Sequence, residues 1–105
     1  MPAAARGNGA DSVFSITGTG KKCAFPITTS TDECSGNVFI NGIGAVRQGD
    51  KVHIHPAKGC GPDESTLSTY SSTVFINGKG AGRIGDQYTS DNFIISGSPT
   101  VYIGG

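Results

Sequence analysis

The sequence predicts an all-β fold, a single domain over residues 1–105 built from three β-hairpin repeats about an approximate threefold axis. Three observations lead there. First, Val74-Phe75-Ile76-Asn77-Gly78-Lys79-Gly80-Ala81-Gly82-Arg83-Ile84-Gly85-Asp86 has an earlier copy at an offset of 36 residues. The copy is Val38-Phe39-Ile40-Asn41-Gly42-Ile43-Gly44-Ala45-Val46-Arg47-Gln48-Gly49-Asp50, and the two share Val, Phe, Ile, Asn, Gly, Gly, Ala, Arg, Gly and Asp. Second, half-copies stand at the two ends of the chain. Val101-Tyr102-Ile103-Gly104-Gly105 is an outgoing arm, and Pro2-Ala3-Ala4-Ala5-Arg6 supplies a return arm. The repeats therefore read as circularly permuted, with one split between the termini. Third, ten Ile and six Val stand against the single Leu67, which favours strands over helices.

Each complete repeat spells a sharp hairpin. Val74-Phe75-Ile76 suits a pleated, partly buried strand, and Asn77-Gly78 is the strongest short signal for a turn needing positive φ. The Gly-rich return arm can pass close to other backbone, and Gly85-Asp86 marks a second turn. The split hairpin predicts that Ala4-Ala5-Arg6 pairs with Val101-Tyr102-Ile103.

Between the hairpins lie three insertions. Residues 11–36 carry Cys23, Pro26 and Cys34, with Val13-Phe14-Ser15-Ile16 as a short strand and a Thr/Ser-rich stretch from Thr28 to Thr31. Residues 51–72 open on Val52-His53-Ile54-His55-Pro56 and turn at Gly59-Cys60-Gly61-Pro62; any helix at Asp63-Glu64-Ser65-Thr66 is one turn long. Residues 87–99 are shortest, with Phe93-Ile94-Ile95 as an apolar strand.

Composition bounds the function. With 35% hydrophobic residues and no Trp, the core is thin. Gly and Pro make up 22 of 105 residues, but their periodic placement indicates a turn-rich β protein rather than disorder. Eight basic residues balance eight acidic ones, which removes the charge footprint of a nucleic-acid binder. No apolar run approaches the roughly 20 residues of a membrane span, and Met1 to Asp11 lacks a secretion signal's apolar core, so synthesis in the cytoplasm is expected.

The densest set of chemically capable side chains is Cys23, His53, His55 and Cys60. His53 and His55, one residue apart, share a face if the segment is extended. Pro56 and Gly59 let Cys60 curl back toward that face, and Cys23 holds the equivalent place in the first insertion. Thiolate and imidazole in a tetrahedral set favour zinc. The spacing matches no zinc-finger pattern, so two solvated histidines and small buried thiols are an equal reading of the spacing alone. Cys34, aligned with Tyr70 and Gly97 at the foot of the strands, is the reserve ligand. A Cys23–Cys34 disulfide is the minor alternative, since three cysteines in a cytoplasmic product argue against a disulfide framework.

Two other motifs carry no catalysis. Gly80-Ala81-Gly82-Arg83-Ile84-Gly85 spells a dinucleotide fingerprint but opens no helix, and its first copy breaks the pattern at Val46. His53 with Cys60 lacks an oxyanion hole or nucleophile elbow. Arg47 with Asp50, and Arg83 with Asp86, read as structural pairs in which Asp closes the turn. No enzyme is expected.

Pro-Ala-Ala-(Ala)-Arg at the N-terminus and two copies of Val-Phe-Ile-Asn-Gly…Arg…Gly-Asp resemble the PAAR-repeat proteins, over nearly the whole chain. Arg6-Gly7-Asn8-Gly9-Ala10-Asp11 is a looser version of the Arg-x-Gly-Asp element. The resemblance implies a small cone that forms the tip of the spike of a contractile injection machine, in a phage tail baseplate or a type VI secretion system. It implies one metal near the apex, zinc or iron, held by histidine and cysteine from the loops after the Gly-Asp turns. His53, His55 and Cys60 follow Gly49-Asp50, and Cys23 follows Asp11. It also implies a trimeric β-helical spike partner of the VgrG-like kind, one chain per trimer. Contact with the target envelope would be transient, with no stable membrane insertion, nucleic acid or small-molecule substrate. Rival readings are a small zinc-dependent enzyme, a free-standing metal-binding domain, or a metal-free β-sandwich adaptor.

Overall fold

A computed structural model of the chain describes residues 1–15, 27–53, 65–89 and 92–104. The described residues are all-β, with no helix among them. In chain order the strands are β1 (Ser12–Ser15), β2 (Ile27–Ser30), β3 (Phe39–Ile40), β4 (Ile43–Gly44), β5 (Phe75–Ile76), β6 (Lys79–Gly80) and β7 (Asn92–Ile94). β3 and β4 form one antiparallel hairpin, β5 and β6 another, and β2-β1-β7 a small antiparallel sheet. The body measures 38 × 24 × 23 Å, with two short axes nearly equal.

The hairpins form for the reasons their sequence gives. Asn41 and Gly42 have φ of 54° and 78°, and Asn77 and Gly78 have 55° and 78°. Positive φ at both central residues is the two-residue hairpin geometry that Asn-Gly tolerates best. The pairs Ile40 with Ile43 and Ile76 with Lys79 close the turns.

The return arms then join hairpin to hairpin in a ring. Arg6 bridges Ala45, Arg47 bridges Ala81, and Arg83 bridges Ala4. The N-terminal arm also meets the C-terminal segment: Ala3 bridges Tyr102, Ala4 N–H donates to Val101 O, and Ile103 N–H donates to Pro2 O. The register differs from the expected pairing of Ala4-Ala5-Arg6 with residues 101–103. Ala3 faces Tyr102, as Gly44 faces Phe39 and Gly80 faces Phe75. Ala5 N–H goes instead to Gly82 O, and Arg6 to the first repeat.

The core follows the same rotation. Ile40, Ile76 and Ile103 pack with Ala4, Ala45 and Ala81 in one cluster. Ala5, Val13, Val46, Val52, Leu67, Tyr88 and Ile94 form a second. Equivalent positions there differ in size, and the differences compensate. Gly82 takes the place of Ala5 and Val46, and a Cβ on it would stand 2.9 Å from Leu67 Cδ2 and 3.1 Å from Val46 Cγ1. Thr31 occupies the place of Leu67 and Ile94; it is fully buried, and its hydroxyl donates to Arg6 O.

Two segments take a form that the sequence left open. The Thr/Ser-rich stretch contains strand β2, which pairs along β1 from Ser12–Ser30 to Ser15–Ile27. Cross-strand partners override its weak apolar signal. Thr66 bridges Lys51 and Ser65 belongs to no helix, so no helical turn includes them; Asp63 and Glu64 lie outside the described residues.

Tyr88 gives a first prediction. Its ring is in the core, and its hydroxyl is buried with no partner among the described residues. Burial is the main cause that pushes its pKa well above the usual 10.0, followed by the charges of Asp50, Asp11 and Asp32. Unfolding frees the phenol to ionise, so Tyr88's contribution is whole below pH about 10 and falls as pH rises beyond it. Tyr88→Phe is expected to leave urea stability unchanged or raise it by up to about 1 kcal/mol at neutral pH, and to lessen the alkaline loss. A loss above about 1 kcal/mol would mean the hydroxyl has a partner.

Candidate functional site

Three equivalent serines set the outgoing arms. Ser35 Oγ accepts the N–H groups of Asn37 and Val38, Ser71 Oγ those of Thr73 and Val74, and Ser98 Oγ those of Thr100 and Val101. Each hydroxyl then donates to the turn of the next hairpin. Ser35 donates to Asn77 Oδ1 at 2.7 Å, Ser71 to Gly104 O at 2.7 Å, and Ser98 to Asn41 Oδ1 at 2.5 Å. Sequence reading missed these serines. Their signal was available as Ser-x-x-Val, at Ser35–Val38, Ser71–Val74 and Ser98–Val101.

Locked in this way, the arms turn alternate side chains outward. The isoleucines point to the core, and their predecessors face solvent. Val38, Val74 and Val101 are 36%, 37% and 37% exposed, and Phe39, Phe75 and Tyr102 are 59%, 60% and 52% exposed. The near-equal values mark one apolar pair presented in the same way by all three outgoing arms. The same residues offer hydrogen-bonding edges. Ala45, Ala81 and Ala4 donate to the carbonyls of Val38, Val74 and Val101, so alternation of the ladder turns the N–H and C=O of Phe39, Phe75 and Tyr102 away from their own hairpins.

The second turns are held by three buried carboxylates. Asp50 Oδ2 accepts Arg47 N–H at 2.8 Å and Nε at 3.1 Å, while Oδ1 accepts Nη2 at 3.0 Å. Asp86 holds Arg83 and Asp11 holds Arg6 with the same three bonds. Those carboxylate hydrogen bonds outweigh burial and raise all three guanidinium pKa values. The expected structural role of Arg47, Asp50, Arg83 and Asp86 is therefore what they perform.

Of the four expected metal ligands, only His53 is among the described residues; Cys23, His55 and Cys60 lie outside them. No group of three or more metal-capable side chains occurs among the described residues. His53 is exposed, and its N–H donates to Ser30 O. The Thr31–Val52 bridge is antiparallel, so at His53 the chain is heading along β2 toward Ile27, where residues 16–26 end. The described stems of the Cys23 and His55–Cys60 segments thus belong to one ladder. Cys34 is a free thiol packed over Gly7 and Gly44, its pKa raised chiefly by burial. It also lines an open groove of about 480 Å³ with Asn8, Asp32, Arg47 and Lys79.

A family model, the PAAR motif, matches residues 16–92, nearly three quarters of the chain and both complete hairpins. The chain belongs to the PAAR motif family. No curated protein matches it. The PAAR motif is known in the spike-tip proteins of contractile injection systems, and the family is structural rather than enzymatic.

Proposed function

We propose that this PAAR chain caps and sharpens a trimeric β-helical spike of the VgrG-like kind, one chain per trimer, in a phage tail in preference to a type VI machine. The observation that carries this reading is the apolar ring of Val38, Phe39, Val74, Phe75, Val101 and Tyr102, with its outward backbone edges. The blunt end of a threefold strand bundle leaves unpaired N–H and C=O groups three times over, and exposed strand edges are a liability when uncovered. A single chain can satisfy three identical ends only if it repeats its own contact surface at 120°. The three equivalent Val-Phe/Tyr pairs, exposed to nearly the same extent, support that reading, and their alternation of apolar side chain and outward backbone edge suits strand addition.

Co-expression with the trimeric spike tests the proposal, read by native mass as one chain per three. Phe39→Ser with Phe75→Ser is expected to weaken that complex by at least about tenfold, because two exposed aromatic anchors are lost. Melting should stay within a few degrees, since neither ring is in the core. Undiminished binding by the double variant would sink the proposal.

The same reading includes one zinc or iron near the apex, held by Cys23, His53, His55 and Cys60. Support comes from the donor chemistry and from the shared ladder beneath the two segments that carry them. A closed site would tie loop ends beyond the core, and its binding free energy would be folding free energy. His55→Ala and Cys60→Ser are each expected to lower metal content, by elemental analysis, together with melting temperature; Cys34→Ser should change neither. Purified protein without stoichiometric metal would refute the assignment.

A further inference from the structure

The chain contains Asn8-Gly9, Asn41-Gly42 and Asn77-Gly78, the dipeptide in which asparagine deamidates most readily. In that reaction the glycine nitrogen attacks the asparagine Cγ, the Cγ–Nδ2 bond breaks, and ammonia leaves with the glycine N–H proton. Water then opens the resulting succinimide to aspartate or isoaspartate. Attack requires the carboxamide to swing its carbon onto the following nitrogen. In the two hairpins both ends of that carboxamide are held. Asn41 Oδ1 accepts Ser98 Oγ–H at 2.5 Å, and its Nδ2 donates to Thr100 Oγ1 at 2.9 Å. Asn77 Oδ1 accepts from Ser35 Oγ and from Arg47 Nη1, and its Nδ2 donates to Asn37 Oδ1 at 2.9 Å.

Every one of these partners belongs to a different hairpin from the asparagine it holds. The Asn8 side chain has no such clamp among the described residues, but the nucleophile there is tied, since Gly9 N–H donates to Thr31 O at 2.7 Å. We propose that Asn41 and Asn77 are modification sites kept latent by contacts between repeats. Deamidation at Asn41 then reports detachment of the segment carrying Ser98 and Thr100, and deamidation at Asn77 reports opening between the first two hairpins. An exposed Asn-Gly turn without these bonds has no such dependence on its neighbours.

The test is ageing of the purified full chain in mildly alkaline buffer, native and in concentrated urea, with peptide mapping of aspartate and isoaspartate. Opening two hydrogen bonds at Asn41 and three at Asn77 before attack should slow both sites at least about tenfold in the native chain. Thr100→Val keeps the side chain's shape and removes the Asn41 partner, so it should speed Asn41 several-fold and leave Asn77 unchanged. Asn37→Ala should do the reverse. Equal rates in native and unfolded chain would overturn the proposal. So would a Thr100→Val variant in which Asn41 keeps its rate, or in which both sites accelerate alike.

Discussion

Asp50→Asn is expected to lower the stability of the domain by about 3–5 kcal/mol, the cost of leaving one partner of a buried pair uncompensated. Asp50 is 3% exposed and accepts three hydrogen bonds, one from the backbone and two from the Arg47 guanidinium. In asparagine one oxygen becomes an amide that faces donors, whichever way the group is turned. If Nδ2 replaces Oδ2, the Arg47 N–H and Nε both lose their acceptor. If it replaces Oδ1, the Nη2 contact becomes repulsive and the guanidinium charge stays unmatched. Arg47 also braces Asn77 and the Cys34 carbonyl, so the second hairpin feels the change. A domain of this size holds roughly 5–15 kcal/mol in total. Melting should therefore fall by about 15 °C or more. Exposed Gln48→Ala, two residues away, should stay within about 0.5 kcal/mol. A loss for Asp50→Asn below about 1 kcal/mol would mean that the turn does not depend on this carboxylate.

The contrast between those two positions is legible in the sequence, and for a physical reason. Arg47 and Asp50 keep their spacing in Arg83 and Asp86, whereas Gln48 becomes Ile84. The hairpins were legible too, since Asn-Gly imposes a conformation that few other residues take. Strand β1 and the strand near Phe93 followed from short apolar runs. What sequence did not disclose was whatever depended on cross-chain size matching. Thr31, Leu67 and Ile94 occupy one place in three repeats, and nothing in their chemistry says so. Strand β2 was hidden for a related reason: its threonines fit a strand only because β1 lies beside them. The register of the N-terminal arm was missed by two residues, because Ala3 stands where the other repeats have glycine. The three serines that lock the arms were visible as Ser-x-x-Val, but the contacts that give them purpose cross from repeat to repeat. His53 alone of the proposed ligands falls in the described residues, so the metal reading still stands on donor chemistry and loop origin.

The Ala3 substitution leads to the second large effect. Gly44→Ala is expected to cost about 3 kcal/mol by overpacking. A Cβ on Gly44 would stand 2.3 Å from Ser35 O and 2.6 Å from Cys34 Sγ. The first contact is with backbone, which cannot swing aside as a side-chain tip can. It cannot retreat easily either, because Ser35 N–H is bound to Ala45 O at 2.8 Å and Ser35 Oγ to the Asn77 turn. Gly80 sits in the same vice in the second hairpin, with Tyr70 in place of Cys34. The third repeat shows how the conflict is relieved. There Ala3 carries the Cβ, and the residue facing it is Gly97, on which a Cβ would come 3.1 Å from that of Ala3. Each hairpin thus tolerates a side chain on one partner of the pair and requires glycine on the other. Cys34→Gly added to Gly44→Ala recreates the Gly97–Ala3 combination and should recover part of the lost stability, by relieving the sulfur contact and loosening the Ser35 backbone. Gly36→Ala, where a Cβ meets nothing within 4 Å, is the matched control and should be nearly silent in urea unfolding. If Gly44→Ala melts with Gly36→Ala, or if Cys34→Gly deepens the Gly44→Ala loss instead of reducing it, the exchange between the paired positions is not what packs the hairpins together.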